Sequence, residues 1–182
     1  MTYSIARYPV HLIDVVQAAD GSRVTIRPTL PQDVELQRDF FRSLSAEGRY
    51  GRFMTRLNEL PESLAERFAS IDYRSHLALL AEVFENGRET MIGEARYVVD
   101  ARDPETCELA IAVADNWQAS GIARALLDRL ERQGLVERIA NPRDRRSFLI
   151  TLTKKGAKAA SINLQDHGNA VVYRNVWMVP AK

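Results

Sequence analysis

The chain has 182 residues, with 25 lysines and arginines against 24 aspartates and glutamates and a net charge of +1. That balance gives no overall attraction to nucleic acid or to an anionic membrane surface. The length suits one domain, or one domain with an appendage. The single cysteine, Cys107, excludes an internal disulfide and fits a reducing compartment. No apolar run approaches the roughly 18 residues that span a bilayer, and the N-terminus lacks a signal-peptide pattern, so a cytoplasmic location is expected.

In chain order, Val10 to Val16 and Arg23 to Arg27 read as two strands around an Asp20-Gly21 turn. Pro28 ends the second strand and Pro31 starts a helix, with Asp33 in its first turn and Leu36, Phe40, Phe41 and Leu44 on its apolar face. Pro61 starts another helix, carrying Leu64 and Phe68. Strands are expected over Leu77 to Phe84 and Met91 to Val99, joined by Glu85-Asn86-Gly87, and from Cys107 to Asp115. A helix follows from Gly121 to Arg132, with Ile122, Leu126 and Leu130 on one stripe.

Between that last strand and helix lies Gln118-Ala119-Ser120-Gly121-Ile122-Ala123. A small-residue turn opening a helix leaves unpaired backbone N–H groups at the helix N-terminus, where a phosphate can sit without Cβ clashes. By itself so short a pattern also fits a plain strand–turn–helix joint whose glycine lets the turn close. The pattern resembles the pyrophosphate loop of GNAT N-acetyltransferases. The likeness runs from about Tyr8 to about Arg132 and is nearest to the acetyltransferase domain of bacterial protein-lysine acetyltransferases. It is carried by Ile26-Arg27-Pro28, Pro31-x-Asp33, Phe40 with Ser43-Leu44-Ser45, Tyr50 with Arg52-Phe53, Ile71-Asp72-Tyr73, Ile92-Gly93-x-Ala95-Arg96-Tyr97 and Asp115-x-Trp117-Gln118.

The resemblance implies an α/β fold, a mixed and mostly antiparallel sheet flanked by helices, and acetyl-CoA as the acyl donor to an amine acceptor, either a protein lysine or a small primary amine. It implies that Glu108, at the start of its strand, is the general base. A lone carboxylate at a strand edge is equally consistent with a solvated group. The backbone at Ile111 and Val113 would pair with the pantetheine arm, and Gln118, Ala119, Ser120, Gly121, Ile122, Ala123 and Arg124 would hold the pyrophosphate. Cys107 alternates to the face opposite Glu108 and reads as core. His11, His76 and His167 lie in no ligand spacing, so no metal is expected. Trp117 is expected to pack beside the loop.

Past Arg132 the likeness stops. Where the family continues with a fifth strand, a helix often carrying a general-acid tyrosine and a closing strand pair, this chain has Leu135-Val136-Glu137-Arg138, Asn141-Pro142-Arg143-Asp144-Arg145-Arg146-Ser147 and Leu152-Thr153-x-x-Gly156. Residues 126–160 resemble the wing of MarR-type regulators, whose tip arginines reach a minor groove. Arg143, Arg145 and Arg146 are the matching residues, and they also fit a solvated hairpin tip. Residues 161–182, with His167-Gly168-Asn169 and Arg174-Asn175-x-Trp177, resemble the terminal strands of the jelly-roll domain in 3-keto-disaccharide hydrolases.

These resemblances divide the chain into an acyl-CoA-binding domain over 1–132, a wing fragment over 133–160 and a strand tail over 161–182. They imply a chimera whose C-terminal third is a non-native β-hairpin, short helix and final strand. Leu135 to Ile139 is expected to return beside the Cys107 strand, Phe148 to Thr153 to pair with it, and Lys154 to Ala160 to form the helix. The expected function is an acetyl-CoA-dependent N-acetyltransferase, impaired by loss of the acid-bearing helix. The alternatives are a scaffold without efficient catalysis and, behind it, a DNA-binding regulator.

Overall fold

The computed structural model describes residues 8–53, 55–99, 107–134, 136–140, 148–152 and 176–178. The chain divides into two compact units, one of residues 1–97 and 110–127, the other of residues 98–109 and 128–182. A five-stranded sheet runs in chain order: β1 Asp14–Gln17, β2 Arg23–Pro28, β3 His76–Glu85, β4 Arg88–Val99 and β5 Cys107–Val113. β1, β2 and β3 pair antiparallel, with Gln17 opposite Arg23 and Thr25 opposite Glu82. β2 alternates between buried and more open positions, whereas β3 is buried continuously from His76 to Val83, as a strand covered on both faces must be. The β3–β4 turn takes positive φ at both Asn86 (52°) and Gly87 (78°), the geometry that matches the twist of a tight hairpin.

Among the described residues, four α-helices accompany the sheet: α1 Val34–Ser43, α2 Ala46–Phe53, α3 Glu62–Ala69 and α4 Ile122–Arg132. Phe41 of α1, Leu60, and Ala65 and Phe68 of α3 form one apolar cluster, against which Phe53 of α2 packs. Asp33 sits in the one-turn 3-10 helix before α1. It accepts two bonds from Arg27 (2.7 and 3.0 Å), and Arg27 also reaches Glu82 (3.1 Å), so β2, β3 and the start of α1 share one ion cluster.

Three expectations need correction. Val10–Leu12 is a one-turn 3-10 helix, closed by the bond from Leu12 N–H to the Pro9 carbonyl (2.9 Å), and the strand begins only at Asp14. α2 has no counterpart among the predicted helices, because Gly48 and Gly51 lower its propensity. It forms because Ser45 caps it: the Ser45 hydroxyl accepts the Gly48 N–H at 3.0 Å. Finally, the segment after α4 does not return beside β5. β6 Val136–Ala140 pairs antiparallel with β7 Phe148–Leu152, and β7 pairs parallel with β8 Val176–Met178, as a separate three-stranded sheet. The expected β6–β7 pairing is therefore present, and of the final strand expected over Val171 to Val179 the described part, Val176–Met178, is a strand, but both lie in their own sheet. The helix expected over Lys154 to Ala160 lies outside the described residues.

Candidate functional site

β5 is the edge of its sheet among the described residues, with Ile111 and Val113 half-buried. Its inner side is tied to β4, and the Ala114 N–H donates to the Ile92 carbonyl (2.8 Å) as the strand ends. A one-turn 3-10 helix, Asp115–Trp117, then turns the chain, and the Trp117 side chain is buried as expected. Ala119 (φ 60°) and Gly121 (φ 90°) both take the left-handed backbone region. Nothing lies within 4 Å of where a Gly121 Cβ would stand, so the glycine is required by its φ and not by crowding.

This alternation turns the backbone amides outward before α4 begins. The N–H groups of Ala119, Gly121, Ile122, Ala123 and Arg124 take no partner among the described residues. Successive N–H groups around left-handed residues form an anion-binding concavity, and the helix N-terminus adds its dipole. The side chains divide into two sets. Ile122 is buried with Leu126 and Leu127, while Ala123 and the Arg124 guanidinium are exposed. Only the backbone of Ile122 is therefore offered to a ligand.

Gln118 and Ser120 are bonded within the loop. The Gln118 N–H donates to the Asp115 carbonyl (3.3 Å) and its side-chain amide to the Asp115 carboxylate (3.2 Å). The Ser120 hydroxyl donates to the Trp117 carbonyl, and its own carbonyl accepts the Ala19 N–H (3.0 Å) from the β1–β2 turn. Asp115 further accepts the Ser45 N–H (2.7 Å) and hydroxyl (3.0 Å), which fixes the start of α2 beside the loop. Beneath, a Cβ at Gly93 would stand 3.3 Å from the Ala112 carbonyl oxygen, 3.3 Å from Ile122 and 3.4 Å from Leu126. Gly93 thus lets α4 settle directly on β4 and β5.

A second constellation is buried and was not legible as a unit. Glu94 of β4 accepts bonds from Arg96 (2.6 and 3.1 Å) and from Arg52 of α2 (3.2 Å). Arg96 donates to the Phe68 carbonyl (3.1 Å), stacks over the Phe68 ring and contacts Nε2 of His76. Nδ1 of His76 donates to the Ser70 carbonyl (2.7 Å), leaving Nε2 as the acceptor. Burial pushes Glu94 upward, but Arg96 and then Arg52 outweigh it and hold the carboxyl at about 2. Burial, and then Arg96, lower His76 below its ordinary value. His76 is therefore a neutral core histidine with a specific partner.

Glu108 is the second residue of β5; its side chain, like that of Cys107, lies outside the described part. Arg143, Arg145, Arg146 and His167 also lie outside the described residues. Among those described, no group of three or more His, Cys, Asp or Glu is placed to hold a metal ion. No described helix is long and apolar enough to cross a membrane.

Comparison with known proteins bears on both halves of the chain. It is 34% identical over 111 residues to an acetyltransferase of Pseudomonas aeruginosa, a match covering 61% of this chain and 59% of that protein. It is 30% identical over 115 residues to the acetyltransferase Pat of Mycolicibacterium smegmatis, covering 63% of this chain and 34% of that one. The chain thus spans less than two thirds of the length of these curated relatives. Among solved structures, it is similar to the GNAT domain of S. lividans PAT, with 29% identity, a TM-score of 0.62, and coverage of 69% of this chain and 73% of that one. The fold is the mixed α/β arrangement of that domain, an antiparallel sheet flanked by helices. A family model described as a winged helix DNA-binding domain matches residues 97–156. Over that range the described residues hold one α-helix, α4, followed by the β6–β7 pair.

Proposed function

We propose that the chain is an acetyl-CoA-dependent N-acetyltransferase acting on a protein lysine or a small primary amine. The observation that carries this reading is the set of five N–H groups, at Ala119 and Gly121 to Arg124, that take no partner among the described residues, next to a β5 edge that no described strand pairs. The N–H groups take the pyrophosphate, and Arg124 adds charge. The outer edge of β5 at Ile111 and Val113 takes the pantetheine arm as an added strand. Glu108 removes the proton from the attacking amine, and the amine nitrogen then displaces CoA thiolate through a tetrahedral intermediate. Gln118 and Ser120 act as positioning residues, because their hydrogen bonds are spent on the loop itself.

Gly121→Glu tests this reading. The open space leaves the new side chain free of clashes, and the left-handed φ costs about 1 kcal/mol. The carboxylate would repel the pyrophosphate, so calorimetric titration should show acetyl-CoA affinity reduced by at least about tenfold with the fold retained. Parent-like affinity would contradict the assignment.

The acetyltransferase relatives' names support the reading, to which an amine acceptor and a cytoplasmic setting belong. A second reading concerns residues 126–160, where the winged-helix match and the α4–β6–β7 order favour a wing, with Arg143, Arg145 and Arg146 at its tip. On this reading, residues 161–182 form a jelly-roll-like tail and the chain is a chimera with impaired turnover. A few arginines on a wing attract DNA weakly and in a salt-sensitive way. Duplex binding that persists at high salt would favour the regulator over the enzyme, and acetyl-CoA binding without turnover would favour a scaffold.

A further inference from the structure

A cavity of about 670 Å³ opens between the first turns of α2 and the Arg56–Asn58 segment. Arg49, Tyr50 and Arg56 line it, with Glu47 as the one carboxylate among its described lining residues. The Arg49 guanidinium lies 5.4 Å from the centre of the Phe41 ring, and its buried Nε has no partner. Phe41 belongs to the apolar core, so this cation is braced on a rigid platform. Neither Arg49 nor Arg56 forms an ion pair with a carboxylate among the described residues. Tyr50 is 43% exposed, which keeps an aromatic face and a hydroxyl at the mouth. Two uncommitted guanidinium groups against one carboxylate make an anion site of moderate strength.

Its place in the fold bears on its ligand. The cavity shares no lining residue with the β5 edge or the 118–124 loop, yet Ser45, one residue before α2, is bonded to Asp115 between them. The Cβ position of Gly48 is 3.7 Å from the same Asp115 carboxylate. A ligand using both places must carry its anion well apart from its reacting amine, as neighbouring side chains of a polypeptide do.

We propose that this cavity binds an aspartate or glutamate side chain flanking the target lysine, so that the acceptor is an acidic polypeptide segment. The proposal rests on the acetyltransferase reading for its role in substrate choice, but peptide binding is measurable without turnover. A dye-labelled peptide with glutamates around one lysine, and its glutamine counterpart, would be titrated by fluorescence anisotropy. The acidic peptide should bind about tenfold more tightly, the scale of one charge-assisted bidentate contact. Arg49→Gln and Arg56→Gln should each remove most of that preference, with affinity for the neutral peptide and for acetyl-CoA unchanged. Arg56 is exposed, so its variant carries the test alone if Arg49→Gln melts early. Equal affinity for the two peptides, or a preference intact in Arg56→Gln, would overturn the proposal. Displacement of the acidic peptide by free glutamate at comparable concentration would assign the site to a small acid and overturn it equally. Loss of the acyl-transfer reading would show instead as absent acetyl-CoA binding, whichever way the peptide result falls.

Discussion

Replacing Glu94 by glutamine should lower stability by about 3–5 kcal/mol, roughly 10 °C in Tm for a chain of this size. The carboxylate is buried between Arg96 and Arg52, and the neutral amide leaves both guanidinium groups without that charge. The difference should depend on pH in a set direction. Glu94 titrates at about 2 in the folded chain against 4.5 in its absence. The unfolded state therefore takes up the proton first as pH falls, so the stabilisation is complete above about 4.5 and is lost progressively down to about 2. His76, lowered from 6.5 by burial and then by Arg96, destabilises both proteins alike as pH falls below 6.5, since the unfolded chain gains a proton that the folded imidazole resists. Thermal melts of both proteins at pH 7 and pH 4 would read this. A wide gap at pH 7 that narrows in acid is expected, and equal melting at pH 7 would show that the network contributes nothing.

The second large effect is catalytic. Glu108→Gln should reduce acetyl transfer by about 10²–10⁴-fold, the range for losing general-base help, with acetyl-CoA affinity little changed. The split follows from the proposed division of labour, in which backbone amides hold the donor and the carboxylate serves only the amine. Raising the pH supplies more neutral amine and should recover part of the lost rate. An unchanged rate in Glu108→Gln would mean that the amine arrives already deprotonated or that another group takes the proton.

What the sequence discloses varies with how local the cause is. β3, β4, β5 and α4 are legible because their apolar runs, the Asn86-Gly87 turn and the Ile122/Leu126/Leu130 stripe are local signals. α2 is hidden because Gly48 and Gly51 weaken its local signal, and because the anchor that fixes its start, Ser45 on Asp115, joins positions 70 residues apart. The Glu94–Arg96–Arg52–His76 network is hidden for the same reason: strand alternation places charged residues inward on β4, a pattern that only the partner elements make favourable. The proposed phosphate loop is legible as small residues before a helix. The bonds of Gln118 and Ser120 within the loop and the left-handed backbone at Ala119 and Gly121 are details that residue types alone do not specify. The sequence does not decide which sheet β6 joins, because its apolar content suits either equally and strand pairing is a long-range choice.

The most direct measurement is the backbone amide spectrum of ¹⁵N-labelled protein during acetyl-CoA addition. The amides of Ala119 and Gly121 to Arg124 should show the largest shifts, followed by those of Ile111 and Val113. Saturating acetyl-CoA that leaves these amides in place, or moves a set elsewhere in the chain, would contradict the account.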